Sequence, residues 1–288
     1  MSISPPRPAG PDRTQDQILA AVLDDVRNTL RVGWIDSALR TLVFEPTFLA
    51  AAWAATRPNV TRSFAAAAER LQNEAVEAAR RVIRPADVAS WIHAELSSIE
   101  RERLLRTAQA LHHASARVYL VVQAWAVLSR RQDIPGTGRE EPPAKRGIPS
   151  WQEGLAALPR AISEEAEALI DDTTVALGLS ATPSALSAAA TWPHYLELLS
   201  GDIRAAGGGE GWRHAIVGLR RNAAEALGRL PHPMALQWDV LERRGLTEER
   251  RIAVADHLTA ATSAMPANAM IAAAMWISLG EPEIPSEF

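Results

Sequence analysis

The chain contains no cysteine. Disulfide staples, thiolate nucleophiles and cysteine metal ligands are therefore excluded, and a reducing, cytoplasmic setting is the expectation. Tyrosine and phenylalanine are scarce, at two and four residues among 288. Runs of alternating β-branched and aromatic residues bounded by hairpin turns are missing, which argues against a sheet protein. An excess of basic charge is also missing. The net charge is −4, so the field that a nucleic-acid binder needs is not there. No long hydrophobic run stands out: Val118 to Leu128 carries Gln123 and falls short of the roughly 20 residues of a membrane-spanning helix. There is no HExxH, no histidine pair at i, i+4, no GK[ST] phosphate loop after Gly207-Gly208-Gly209 and no GxSxG elbow. Metal-dependent, nucleotide-dependent and elbow-serine chemistries thus lose their usual signatures, and no metal or cofactor is expected.

What is present is helical. Alanine, leucine, arginine and glutamate, all good helix formers, crowd nearly every segment. The hydrophobic share of 47% and charged share of 22% are enough for a sizeable core. Tryptophan, at nine residues, supplies large anchors for a core of small side chains. A long helix starts near Val60 and ends at Arg84-Pro85. Helical stretches at Trp91–Arg106 and Leu104–Arg131 follow. Proline-rich residues 1–15 and 281–288 read as tails, with no apolar run of signal-peptide type at the start.

Residues 132–150, QDIPGTGREEPPAKRGIPS, form a Pro- and Gly-rich linker at the middle of the chain. On either side lies a repeat. At one gapless offset of 147 positions, Leu23-Asp24-Asp25 meets Ile170-Asp171-Asp172, Ser37-Ala38-Leu39 meets Ser184-Ala185-Leu186, Pro46 meets Pro193, and Leu49 meets Leu196. Trp125 meets Trp276 at a slightly larger offset. The expected architecture is all-α. Two repeats, 16–131 and 151–280, pack about a pseudo-twofold axis with a cleft between them.

Leu30-Arg31-Val32-Gly33-Trp34-Ile35, Leu39-Arg40-Thr41-Leu42, Pro46 and Phe48-Leu49 to Trp53 resemble the first repeat of the group I 2-haloacid dehalogenases. Thr191-Trp192-Pro193-His194-Tyr195-Leu196 resembles their second repeat. Leu111-His112-His113-Ala114-Ser115-Ala116-Arg117 resembles a worn form of their aromatic, His or Asn, Tyr, Asn-Pro-Lys helix. The resemblance spans most of the chain between the tails. It implies an all-α fold with the site between the repeats. It also implies hydrolysis of a small 2-halocarboxylate by a water that a carboxylate activates, without a covalent intermediate.

Carried over residue by residue, the resemblance makes Trp34 a pocket residue and places Ser184 beside the water-activating acid. That acid's own position is Ala185, which cannot activate water. Asp36, next to Ser37-Ala38 and facing the same cleft by pseudo-symmetry, is the candidate replacement base; helix capping is the alternative. His112 and His113 are further candidate bases or ligand contacts, and on a helix they point about 100° apart. Ser115 shares a face with His112. Arg117 is either a counter-charge for an anionic substrate or a snorkelling surface arginine. Ser180, Thr182 and Ser184 either line the pocket or cap the second-repeat helix. Asp24, Asp25, Asp171 and Asp172 are expected as solvated helix charges.

Three functions follow as alternatives: a hydrolytic 2-haloacid dehalogenase, a different reaction on a small or apolar acid, or binding without catalysis. The expected partner is a small-molecule carboxylate, not nucleic acid or membrane, and a homodimer is compatible with the sequence.

Overall fold

The structure, a computed structural model, describes residues 13–86, 88–153, 155 and 162–282. The chain runs through α1 (Arg13–Leu30), α2 (Ser37–Arg40), α3 (Pro46–Thr56), α4 (Arg62–Val82), α5 (Ala89–Glu95) and α6 (Ser98–Ser129). After the connector come α7 (Glu164–Ala176), α8 (Ser184–Ala189), α9 (Pro193–Ala206), α10 (Glu210–Leu227), α11 (Trp238–Arg243) and α12 (Glu248–Ser278). The fold is all-α. Among the described residues the only extended pairings are isolated bridges, Thr61 with Pro143 and Ile134 with Met234.

The centre is α6 against α12, with α4 packed on both and α10 against α4 and α6. Each of these helices has local reasons to form. Ser97 accepts from the Glu100 amide at 3.3 Å, and Glu100 returns the bond to the Ser97 amide at 3.0 Å, a reciprocal cap that starts α6. The expected boundary near 104–106 is absent; the break falls at 96–97, where Leu96 is extended. Helix α4 buries Phe64, Ala67, Ala68, Leu71, Ala75, Val76, Ala78 and Ala79 on one face. Its small residues let neighbouring backbones approach closely. Helix α12 begins at Thr247, which accepts from the Arg250 amide at 3.3 Å.

Helix α12 is also long and apolar enough to cross a membrane, and 72% of its most apolar window is buried within the protein. That burial is what a core helix requires. It carries a buried Pro266, which has no N–H for the helical ladder. Five tryptophans, Trp34, Trp53, Trp125, Trp192 and Trp212, are buried, and the Trp125 Nε1–H donates to Thr56 Oγ1 at 2.9 Å.

Several local expectations change. Of the tail expected at 1–15, residues 1–12 lie outside the described residues, and α1 already starts at Arg13. At the other end, residues 283–288 lie outside them, while Glu281 pairs with Arg80 at 2.5 Å and the Pro282 carbonyl accepts from Trp276 Nε1 at 3.0 Å. Asp25 is no free helix charge: it accepts from Trp53 Nε1 at 2.7 Å and pairs with Arg57 and Arg146. The residues of the linker are irregular but tied down. Gly136 lies so close to Pro231, His232 and Pro233 that a Cβ would come within 3.0 Å of their backbone.

Candidate active site

The segment between α1 and α2 is fixed by contacts distant in sequence. Arg31 has a left-handed backbone (φ 59°) and turns the chain out of α1. The Gly33 amide donates to Gln152 Oε1 at 2.5 Å, and Gln152 Nε2 donates to the Arg31 carbonyl at 3.3 Å. A Cβ at Gly33 would lie 2.9 Å from Gln152 Cβ, so this close approach needs glycine. Trp34 is buried behind it, and its Nε1–H has no hydrogen-bond partner among the described residues.

Asp36 follows at the N-terminus of α2 and is 3% exposed. Its Oδ1 accepts from the Ala38 amide at 2.9 Å, so the capping alternative is realised. Its Oδ2 accepts from Ser184 Oγ at 2.5 Å, which the capping alternative does not contain. Burial pushes the Asp36 carboxyl above the usual carboxylate range. Bonds from Ser184 and the Ala38 amide, the charge of Arg40 and a bond from Ser37 oppose that shift.

Ser184 does not cap α8. The capping position is Pro183, which offers no side-chain bond, and the Ser184 hydroxyl turns across to Asp36. Ser184 Oγ is also 3.2 Å from Asn268 Oδ1, which accepts from the Ala185 amide at 2.9 Å. A hydroxyl carries one proton. When Asp36 is ionised, that proton goes to Asp36. When Asp36 is protonated, the chain reverses, with Asp36 donating to Ser184 and Ser184 to Asn268. The cluster therefore has a satisfied hydrogen-bond pattern for either charge state of Asp36.

Asp36 lines a cavity of about 290 Å³ together with Ser37, Thr41, Thr182, His257 and Met265. The Thr41 hydroxyl donates to the Ser37 carbonyl at 2.8 Å, so its oxygen accepts from His257 Nε2–H, also at 2.8 Å. Ser180 Oγ is bonded to Ser263 Oγ at 3.0 Å. Ala185 is fully buried.

The α6 candidates form a separate group. The His112 ring stacks on Trp276 with centroids 4.7 Å apart and is 3% exposed. Burial and the Arg117 charge lower its pKa to about 4, so the imidazole is neutral at pH 7. His113 meets Trp151 edge-on at 5.6 Å, and burial and Arg117 push its pKa well below the usual value. Ser115 Oγ is spent on the His112 carbonyl at 3.1 Å. Arg117 is not a snorkelling surface group: its Nη1 donates to the His113 carbonyl at 2.7 Å, and burial followed by the Arg31 charge lowers its pKa to about 10. Among the described residues no hydrogen bond or ion pair joins this group to Asp36.

Sequence reasoning thus placed Asp36, Ser37, Ser184 and Ala185 together and missed Asn268 and His257. A signal for Asn268 existed. The offset that carries Trp125 onto Trp276 also carries Arg117 onto Asn268. A second buried carboxylate, Glu45, was also missed; it is 1% exposed, raised by burial, and lies 3.5 Å from Arg250. Among the described residues no group of three or more His, Asp or Glu side chains is arranged to hold a metal ion.

No family profile matches the chain. It is similar to a configuration-inverting 2-haloacid dehalogenase of Pseudomonas sp. (strain 113), 22% identical over 191 residues, which are 62% of this chain and 61% of that protein's length. Among solved structures it is similar to a D-2-haloacid dehalogenase in complex with L-LA, at TM-score 0.80 and 16% identity over 96% of this chain and 100% of that one. It is likewise similar to a mutant D-2-haloacid dehalogenase in complex with D-2-CPA, at TM-score 0.75 and 16% identity over 92% and 91% of the two chains.

Proposed function

We propose that this chain, a divergent member of the 2-haloacid dehalogenase family, hydrolyses a small 2-halocarboxylate in the cavity beside α2, with Asp36 as the base. The observation that carries this reading is a buried carboxylate, raised in pKa, on the wall of a cavity of about 290 Å³. A carboxylate whose pKa is raised above the usual range is a stronger base once ionised. Each carboxylate oxygen has two acceptor sites, so the bonds from Ala38 and Ser184 leave room for a water.

In this reading Asp36 takes a proton from the water as its oxygen attacks C2 from the side opposite the halogen. The carbon–halogen bond breaks, the halide leaves with the electron pair, and a 2-hydroxy acid of inverted configuration remains. The proton on Asp36 then returns to solvent. Ser184 steadies the carboxylate, and Asn268 holds the start of α8 through the Ala185 amide. Thr182 offers its hydroxyl to the substrate carboxylate, while Pro183, Ala261 and Met265 keep the reacting carbon away from bulk water.

The internal repeat supports the placement of Asp36. Helices α2 and α8 begin at Ser37 and Ser184, and α3 and α9 at Pro46 and Pro193, the offset read in the sequence. Asp24-Asp25 and Asp171-Asp172 lie within α1 and α7. On this reading the site sits where the starts of α2 and α8 meet, so a base lost from the α8 side at Ala185 is supplied from the α2 side.

A specific observation favours a second reading, binding without turnover: each Asp36 oxygen already accepts a hydrogen bond, and Ala185 stands where the resemblance places the acid. The test is halide release from each enantiomer of 2-bromopropionate by the wild type and Asp36→Asn. The proposal expects release from at least one enantiomer, reduced about 10²–10⁴-fold in the variant, the usual worth of a general base. No release together with calorimetrically detected binding supports the second reading. Release that Asp36→Asn leaves intact removes Asp36 from the mechanism.

A further inference from the structure

A second cavity, also of about 290 Å³, opens where the end of α1, the start of α4, the middle of α6 and the connector meet. It shares no lining residue with the cavity that holds Asp36. Among the described residues its wall carries four cationic side chains, Arg31, Arg62, Arg117 and Lys145, each from a different segment, and no carboxylate. The chain as a whole is acidic, with a net charge of −4, so this concentration runs against its average.

Glu141 is engaged by the Ser63 amide at 3.0 Å and by the Ser63 hydroxyl. Glu69 acts electrostatically on Arg117 in the opposite sense to Arg31. Arg117 is held against the His113 carbonyl, close enough to Arg31 for the two positive charges to oppose one another. Like charges gathered in a half-buried space are unfavourable unless something neutralises them. A further polar group faces the cavity. Thr29, 6% exposed, lines it, and its hydroxyl has no hydrogen-bond partner among the described residues. The first turn of the 21-residue α4 adds the positive end of its dipole.

We infer that this cavity is a binding site for a small multivalent oxyanion of the phosphate or pyrophosphate class, separate from the proposed chemistry. The size suits it: at about 30 Å³ per water, the space holds about ten, room for a diphosphate with part of its hydration shell. A planar guanidinium such as that of Arg117 binds tetrahedral oxyanions with two parallel N–H donors, and Lys145 adds a point charge. A bound anion would tie the connector to α1, α4 and α6.

Thermal unfolding of the full chain, titrated with inorganic phosphate and with pyrophosphate at constant ionic strength, tests this. Acetate is the monovalent control. The expected result is a saturable rise in Tm with phosphate or pyrophosphate but not acetate. The apparent affinity should fall at least tenfold in Arg62→Ala and in Lys145→Ala, whose side chains are exposed, and stay unchanged in Asp36→Asn. No saturable shift in the wild type overturns the inference. So does an equal shift with acetate, a shift that survives both cation substitutions, or one that Asp36→Asn abolishes. The last outcome would move the anion to the Asp36 cavity and leave the halide-release test untouched.

Discussion

Ser184 donates its hydroxyl proton to Asp36 at 2.5 Å across 148 positions of chain. This bond links the start of α8 to the start of α2. It makes the protonation of Asp36 a property of the assembled fold. In the unfolded chain Asp36 ionises near its ordinary value of 3.8; in the fold burial raises that value. The folded state therefore holds the proton more tightly, and stability falls as pH rises above 3.8 until the folded group has ionised. Asp36→Asn can keep both bonds, accepting from Ala38 and donating to Ser184, and has no charge to bury. Urea denaturation across the acid range is expected to show the variant gaining on the wild type as pH rises above 3.8. An identical pH dependence would contradict the raised pKa.

Asn268 Oδ1 accepts from the Ala185 amide at 2.9 Å, with Ser184 Oγ 3.2 Å away. Truncation to alanine leaves a buried amide without an acceptor, a loss of about 1–3 kcal/mol. Unfolding of Asn268→Ala in urea should show that loss. The proposed chemistry adds a second expectation: with the start of α8 released from Asn268, Ser184 is displaced from Asp36, which lowers kcat more than it raises KM. A stability loss below about 0.5 kcal/mol would mean that the amide finds another partner.

His112 should resist protonation. Its pKa is lowered to about 4 by burial and by Arg117, against 6.5 in the unfolded chain. The unfolded state takes up the proton first, so His112 favours folding above pH 6.5 and loses that contribution as pH falls toward 4. At 1.36 kcal/mol per unit, the loss amounts to roughly 3 kcal/mol. Replacing His112 with Asn removes this part of the acid sensitivity. NMR titration of the wild-type imidazole checks the assignment directly, and a midpoint near 6.5 would contradict it.

Gly136→Ala tests whether the connector is part of the folded body. The added Cβ would meet backbone atoms of Pro231, His232 and Pro233 within 3.0 Å, and backbone cannot swing aside as a side chain can. Overpacking of this kind costs typically 1–3 kcal/mol. The Ile134–Met234 bridge, bonded in both directions at 2.9 Å, is expected to open with it. Limited proteolysis between residues 132 and 150 should accelerate in the variant, and an unchanged cleavage rate would show that the segment is not pinned there.

The sequence by itself determined the all-α class, because helix propensity acts over a few residues and Ala, Leu, Arg and Glu crowd nearly every segment; the Ser97–Glu100 cap that starts α6 was not read from it. It also pointed to Asp36, Ser37, Ser184 and Ala185 as one group, because their regular offset survives as a pattern in the letters. Tertiary structure decided the rest. That Asp25 binds Trp53, Arg57 and Arg146, that Arg117 turns to the His113 carbonyl beside Arg31, and that the linker is clamped at Gly136 depend on packing between segments far apart in the chain. Whether a carboxylate is a solvated charge, a cap or a raised-pKa group depends on the water and charges around it. For Asp36 those surroundings come from α8 and α12, more than a hundred residues downstream, and they exist only once the chain has folded.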